Sequence, residues 1–304
     1  MKLHAFSFEA MACANSIEFF WPRRTGAATA AATVIAEVKR IEAKYSRYRE
    51  DSVIARINRA AGGEAVRVDE ETAALLDYAG ACHRQSDGLF DVTSGVLRRA
   101  WDFRRAVVPA PQRIEAILPL IGWGRAHWSR PEIRLPLFGM ELDFGGLGKE
   151  YAADRAAAVA AEQGVAHGFV NLGGDVRVIG PHPDGSPWII GIVHPRKPAG
   201  VVARIALESG ALATSGDYER FFEVDGRRYC HILNPRTGYP ATGLQSASVI
   251  APLCLVAGSL STVAMLKGQD GCDFLDGQSV PSFRVDANGV LTRHDIQPQT
   301  SLAG

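Results

Sequence analysis

The chain has 304 residues, 47% of them apolar and 22% charged, with 31 glycines and 16 prolines. That composition excludes disorder, collagen and coiled coil, and at this length roughly three quarters of the chain's surface can be buried without disulfides or metals. Lys plus Arg and Asp plus Glu both number 33, so no overall field draws the chain toward nucleic acid or an anionic bilayer, and any phosphate recognition must be local.

At the N-terminus, Glu9 and Asn15 interrupt what would have to be the apolar stretch of an export signal. No later run reaches membrane-spanning length, and the sequence predicts a cytoplasmic protein with no membrane insertion. From Gly26 to Arg47 the residues Val34, Val38, Ile41 and Tyr45 form one stripe of a helix. Asp69 can cap a second helix that carries Glu70 and Glu71 in its first turn and ends near Ser86-Asp87-Gly88. Pro111 suits the first turn of a third. Residues 139–144 read as a strand, Gly145-Gly146 as a turn, and 147–164 as a helix closed by Gly164.

The second half is richer in strands, expected at 168–179, 187–194 and 201–207 and then at 218–224 and 227–233, the last two joined by an Asp225-Gly226 hairpin turn. Residues 253–268 are apolar nearly all round, the pattern of a buried helix, and a hairpin through Asn288-Gly289 follows. The irregular alternation argues for an α+β fold, with one domain over residues 1–297 and a loose tail at 298–304. The five cysteines, Cys13, Cys82, Cys230, Cys254 and Cys272, contain no CxxC pair and read as reduced thiols.

Common chemical signatures are missing. Gly148-Lys149 resembles the end of a phosphate loop, but Asp143 stands where its first glycine should be and Glu150 where its hydroxyl should be. No HExxH and no GxGxxG after a strand is present, which removes a histidine zinc site and a dinucleotide-binding Rossmann unit.

Seven strings carry the functional signal: SRYREDSVIARIN (46–58), GLFDVTSGVLRRAW (88–101), LDFGGLGKEYAAD (142–154), FVNLGGDVRVIG (169–180), ALATSGDYERFF (211–222), HILNPRTGYP (231–240) and VIAPLCLVAGSLSTVAM (249–265). In this order, over Met11 to about Asp276, they resemble the ApbE-type FAD:protein FMN transferases. The resemblance implies a mixed fold of mainly antiparallel sheets flanked by helices around an FAD cleft. It further implies transfer of FMN from FAD to a Thr or Ser hydroxyl of a target flavoprotein, with release of AMP and assistance from Mg2+. The family's acceptor motif is D-G-x-S/T-G-A-S/T. Two other outcomes stay open: hydrolysis of the FAD pyrophosphate with water as acceptor, and a non-catalytic FAD-binding homologue.

By the same resemblance, Met11, Tyr48, Leu89, Phe90, Asp91, Asp143, Lys149 and Ile232 fall at FAD-contact positions, while Gly146, Ser261 and Thr262 fall at metal positions. Taken alone, Tyr48 and Phe90 would read as core aromatics and Asp91 as a turn residue. The Gly145-Gly146 turn suits close backbone approach and anion binding at a helix start. His231 heads the NPxTG string and is the candidate general base, because a neutral imidazole can take the acceptor hydroxyl's proton.

Two departures stand out. Gly258 occupies the place of the acid in the family's A-D-x-x-S-T string, here Ala257-Gly258-Ser259-Leu260-Ser261-Thr262. Ser261, Thr262 and the Gly146 carbonyl offer only neutral oxygens, so a weakened magnesium site is expected, one that Gly258→Asp should strengthen. Met11-Ala12-Cys13 replaces a Met-Gly-Thr string, changing a glycine and a hydroxyl.

Overall fold

The computed structural model describes residues 1–295, so the expected tail at 298–304 lies outside the described residues. Strands β1 (Lys2–Ala10) and β2 (Cys13–Trp21) form a hairpin closed by Met11 and Ala12, both with positive φ (55° and 58°). Two consecutive left-handed residues give the turn twist that an antiparallel hairpin requires. Helix α1 (Arg24–Tyr45) buries Val34, Val38, Ile41 and Tyr45 along one side, as their spacing predicts. Helix α2 (Val53–Arg59) starts under the Ser52 hydroxyl, which accepts from the Ala55 amide at 2.9 Å. Beyond the short strand β3 (Val66–Arg67), α3 (Glu70–Gln85) is capped by Asp69, whose carboxylate accepts from the Thr72 amide at 2.9 Å.

Helix α4 (Pro111–Glu115) is the short element predicted at Pro111, and strands β4 (His127–Ser129) and β5 (Glu132–Arg134) complete a small sheet with β3. The strand expected at 139–144 does not form. That segment is instead bonded by a side chain: Asn58 accepts from the Leu142 amide at 2.6 Å and donates to the Leu142 carbonyl at 3.0 Å. An amide side chain can mimic a ladder partner for one residue only.

Helix α5 (Gly148–Glu162) ends before Gly164, at φ 91°. The strand expected at 168–179 is two strands, β6 (Gly168–Leu172) and β7 (Asp175–Gly180), folded back on each other where Gly173 and Gly174 take φ of 58° and 96°. There follow β8 (Trp188–His194), β9 (Lys197–Leu207), β10 (Gly210–Gly216), β11 (Phe221–Val224) and β12 (Arg227–Cys230). The chain then runs through β13 (Leu244–Ala251), α6 (Cys254–Lys267), α7 (Gly271–Asp276), β14 (Ser282–Asp286) and β15 (Leu291–His294).

Eight strands make one sheet in the order β1-β2-β6-β7-β10-β13-β14-β15, every neighbouring pair antiparallel. Side chains alternate across it. Ala211 and Ala213 of β10 join the core beneath α1, α5 and α6, whereas Leu212 joins Val176, Val178 and Phe283 under the β8–β9 hairpin. A third cluster gathers Leu97, Trp101, Ile114, Phe222 and Tyr229. Among the described residues no helix is long and apolar enough to cross a membrane.

Candidate active site

The site is built around the start of α5. Asp143, in the loop before it, accepts from the Gly145 amide at 2.9 Å through one oxygen and pairs with Arg47 through the other. Arg47 also donates to the Tyr48 hydroxyl at 3.0 Å and lies 5.1 Å from that ring's centre, so the exposed Tyr48 is tied to Asp143 through one guanidinium. A Cβ on Gly146 would stand 3.4 Å from the Phe90 ring, which places Phe90 directly beneath the turn. No side chain caps the first turn of α5. The Gly148 amide donates to the Phe144 carbonyl at 2.6 Å, and the following first-turn amides, with the helix dipole, form a positive surface suited to a phosphate.

Lys149, in that first turn, forms an ion pair with Asp175 of β7, whose second oxygen accepts from the Thr214 amide at 3.1 Å. Burial by itself would lower the Lys149 pKa, but the Asp175 and Glu150 carboxylates outweigh it and raise it, so the ammonium is charged at neutral pH. The Gly173 turn touches both Cys13 and Lys149, which brings the N-terminal hairpin to the same place.

The next residues of α5 face α6. Asp154 accepts from the Cys254 and Leu255 amides at 2.8 and 2.9 Å, capping α6 from a neighbouring helix where Leu253 offers no capping side chain. One turn earlier, Glu150 is buried against Gly258, and its Oε2 has no hydrogen-bond partner among the described residues. Burial pushes the Glu150 carboxyl up to about 7, the Lys149 charge opposing and the Asp175 carboxylate adding to the effect. Further along α6, Ser261 donates to the Gly258 carbonyl at 2.9 Å, and the Ser215 hydroxyl lies 2.8 Å from that of Ser261 and 2.9 Å from that of Thr262. Ser261 and Thr262 lie one turn along α6 from Gly258, against which Glu150 packs, and hydroxyls with a carboxylate are the hard-oxygen donors that fit magnesium.

His231 follows β12, its amide donating to the Arg220 carbonyl at 3.0 Å. The side chain is reachable by solvent but crowded by protein. Its pKa is lowered to about 4, first by that crowding and then by the Arg220 and Lys149 charges, so the ring is neutral at pH 7. The loop behind it is rigid by construction. Asn234 accepts from the Arg236 amide at 2.9 Å, the Leu233–Pro240 bridge closes the base, and the Gly238 carbonyl accepts from the Trp101 indole at 2.7 Å. Gly238 is obligatory here, with φ 73° and a Cβ position only 2.3 Å from Ile114. Ile232 is half-buried, and its carbonyl accepts from the Ala241 amide at 2.8 Å.

Not every expected residue offers a free side chain. Asp91 is buried, accepting from the Thr93 amide and hydroxyl (2.8 and 2.6 Å) and from the Trp123 amide (2.8 Å), so its carboxylate holds the loop that carries Leu89 and Phe90. Met11 presents a turn whose amide is held by Glu42 at 2.5 Å. Sequence reasoning gave Arg47, Glu150 and Ser215 no role in the site, and it placed Asp175 within one expected strand at 168–179. The available signal was the i, i+4 pair of acids Glu150 and Asp154 in an otherwise alanine-rich helix.

The same architecture occurs in solved ApbE proteins. The chain superposes on the ApbE protein of Thermotoga maritima with a TM-score of 0.89 and 36% identity, covering 96% of this chain and 97% of that one. On the flavinyl transferase ApbE of Pseudomonas stutzeri the TM-score is 0.85 at 29% identity, with 96% and 94% covered. In sequence it is 34% identical over 281 residues to the FAD:protein FMN transferase of Klebsiella pneumoniae, spanning 88% of this chain and 83% of the relative. The Vibrio cholerae FAD:protein FMN transferase is 30% identical over 256 residues, 82% and 76% of the two chains. The ApbE family profile matches residues 11–283, and the chain belongs to that family.

Proposed function

We propose that this protein is a flavin transferase that moves FMN from FAD to a Thr or Ser hydroxyl of a target flavoprotein and releases AMP. The observation that carries this reading is the pairing of an uncapped helix start bearing Lys149 with the neutral imidazole of His231. Phosphoryl-type transfer needs charge stabilisation and positioning more than covalent chemistry by the enzyme. The α5 amides and Lys149 receive the pyrophosphate. Met11, Tyr48, Leu89, Phe90, Asp143 and Ile232 surround the rest of the dinucleotide, and Asp91 fixes the loop. His231 takes the proton from the acceptor hydroxyl as its oxygen attacks the FMN phosphorus. The bond from that phosphorus to the bridging oxygen breaks, and AMP departs with the electron pair.

Gly146, Ser261 and Thr262 would hold Mg2+, which when bound neutralises pyrophosphate charge. The acceptor is a protein loop of the form D-G-x-S/T-G-A-S/T. Five free cysteines fit a reducing compartment, the cytoplasm. Incubation with FAD, Mg2+ and a protein carrying that motif tests the reading by product: covalent FMN on the acceptor is expected. Free FMN plus AMP would reveal a hydrolase, and unchanged FAD would overturn catalysis.

A further inference from the structure

Resting on the flavin-transferase reading, we propose that Glu150 of α5 supplies the carboxylate of the divalent-cation site that α6, with glycine at 258, does not carry. The two helices run antiparallel in register. Asp154 binds the amides of Cys254 and Leu255, so one turn back along α5 and one turn forward along α6 bring Glu150 against Gly258. A Cβ on Gly258 would lie 2.4 Å from Glu150 Cγ and 3.1 Å from both its Cδ and Oε1. An acid at 258 and the Glu150 side chain therefore compete for one space, and glycine is what admits the glutamate.

The donor chemistry agrees. Glu150 is 7% exposed, and its Oε2 has no partner among the described residues. A buried carboxylate oxygen without a donor is costly, and a cation relieves that cost directly. The neighbouring ammonium of Lys149 is paired with Asp175. Beyond Gly258, α6 presents Ser261 and Thr262, whose hydroxyls meet Ser215. A carboxylate joined to hydroxyls is the donor set that magnesium and manganese take.

The test counts Mn2+ bound to the full-length protein in the presence of FAD by electron paramagnetic resonance. FAD affinity is followed separately by flavin fluorescence in EDTA, and folding by circular dichroism. Glu150→Gln keeps shape and removes charge. It should weaken Mn2+ binding by at least about tenfold, the loss seen even when an outer partner of a metal ligand is removed, with metal-free FAD affinity retained. The double variant Glu150→Gly with Gly258→Asp returns the acid to α6 and should recover most of the lost affinity; it also decides the matter should Glu150→Gln not fold. Mn2+ binding unchanged in Glu150→Gln, absent from the wild type, or unrecovered in a folded double variant would overturn the exchange while the flavin reading stands. A wild type that binds no FAD would overturn the flavin reading, and the exchange with it.

Discussion

The Lys149 ammonium and the Asp175 carboxylate form an ion pair that ties the first turn of α5 to β7, and through the Thr214 amide to β10. Asp175 is almost fully buried, whereas Lys149 reaches partly to solvent. That asymmetry sets the cost of breaking the pair. Lys149→Met strands a buried carboxylate and should destabilise the fold by about 3 kcal/mol, the low end for broken buried pairs. Asp175→Asn leaves an ammonium that can turn outward, so its loss should be at least about 1 kcal/mol smaller. Urea unfolding of the two variants measures both, and equal losses would contradict the asymmetry.

His231 should act in the chemical step and contribute little to FAD affinity. A positioned base is worth about 10² to 10⁴ in rate, so His231→Asn should bind FAD normally yet transfer FMN slower by that order. Full activity would remove His231 as the base. The remaining carboxylates are poorly placed for that role, because Asp217 is held by Arg196 at 2.6 and 2.7 Å and Asp175 by Lys149.

The lowered His231 pKa also sets the pH dependence. A histidine whose folded pKa is about 4 is the free base at every pH above that, so transfer should not decline as pH falls through about 6.5, the ordinary histidine value. Loss should begin only as pH approaches the folded pKa. Single-turnover rates with saturating FAD, acceptor and Mg2+, compared between the wild type and Glu150→Gln because the Glu150 carboxyl itself is pushed up to about 7, provide the measurement; an acid limb at the ordinary histidine value in both proteins would show an unperturbed ring or a different base.

Ala12 occupies a left-handed position, φ 58°, in the β1–β2 turn where the resembled family carries glycine. A Cβ in that conformation costs roughly 1–2 kcal/mol, partly offset by the greater unfolded-state freedom of glycine. Ala12→Gly should therefore raise stability by about 1 kcal/mol in denaturant titration, and no gain would mean that the turn carries no strain.

Gly258→Asp on its own, which the sequence suggested would repair the metal site, is expected to harm the protein. Its Cβ meets Glu150 Cγ at 2.4 Å, and overpacking a buried site costs typically about 1–3 kcal/mol before a second carboxylate is added beside the first. Thermal unfolding should show a lower midpoint for Gly258→Asp than for the double variant with Glu150→Gly. The reverse order would mean that Glu150 moves aside freely.

Most of the α+β fold was legible because its signals are local. The stripe Val34-Val38-Ile41-Tyr45, the Asp69 cap and the Asp225-Gly226 turn each specify their element through neighbours a few residues away, and all three form as expected. At 139–144 the deciding partner was distant, Asn58 taking both backbone hydrogen bonds of Leu142, whereas 168–179 split into two strands at the adjacent Gly173-Gly174 turn.

The family strings pointed to candidate residues for a site but could not say which of them touch. The sequence by itself determined the long helices, the Asp225-Gly226 hairpin, the family and the loss of an acid at Gly258. Only the tertiary structure decided that Glu150 fills the space this glycine opens, because α5 and α6 meet through side chains a hundred residues apart, and no periodicity or spacing along the chain records that contact.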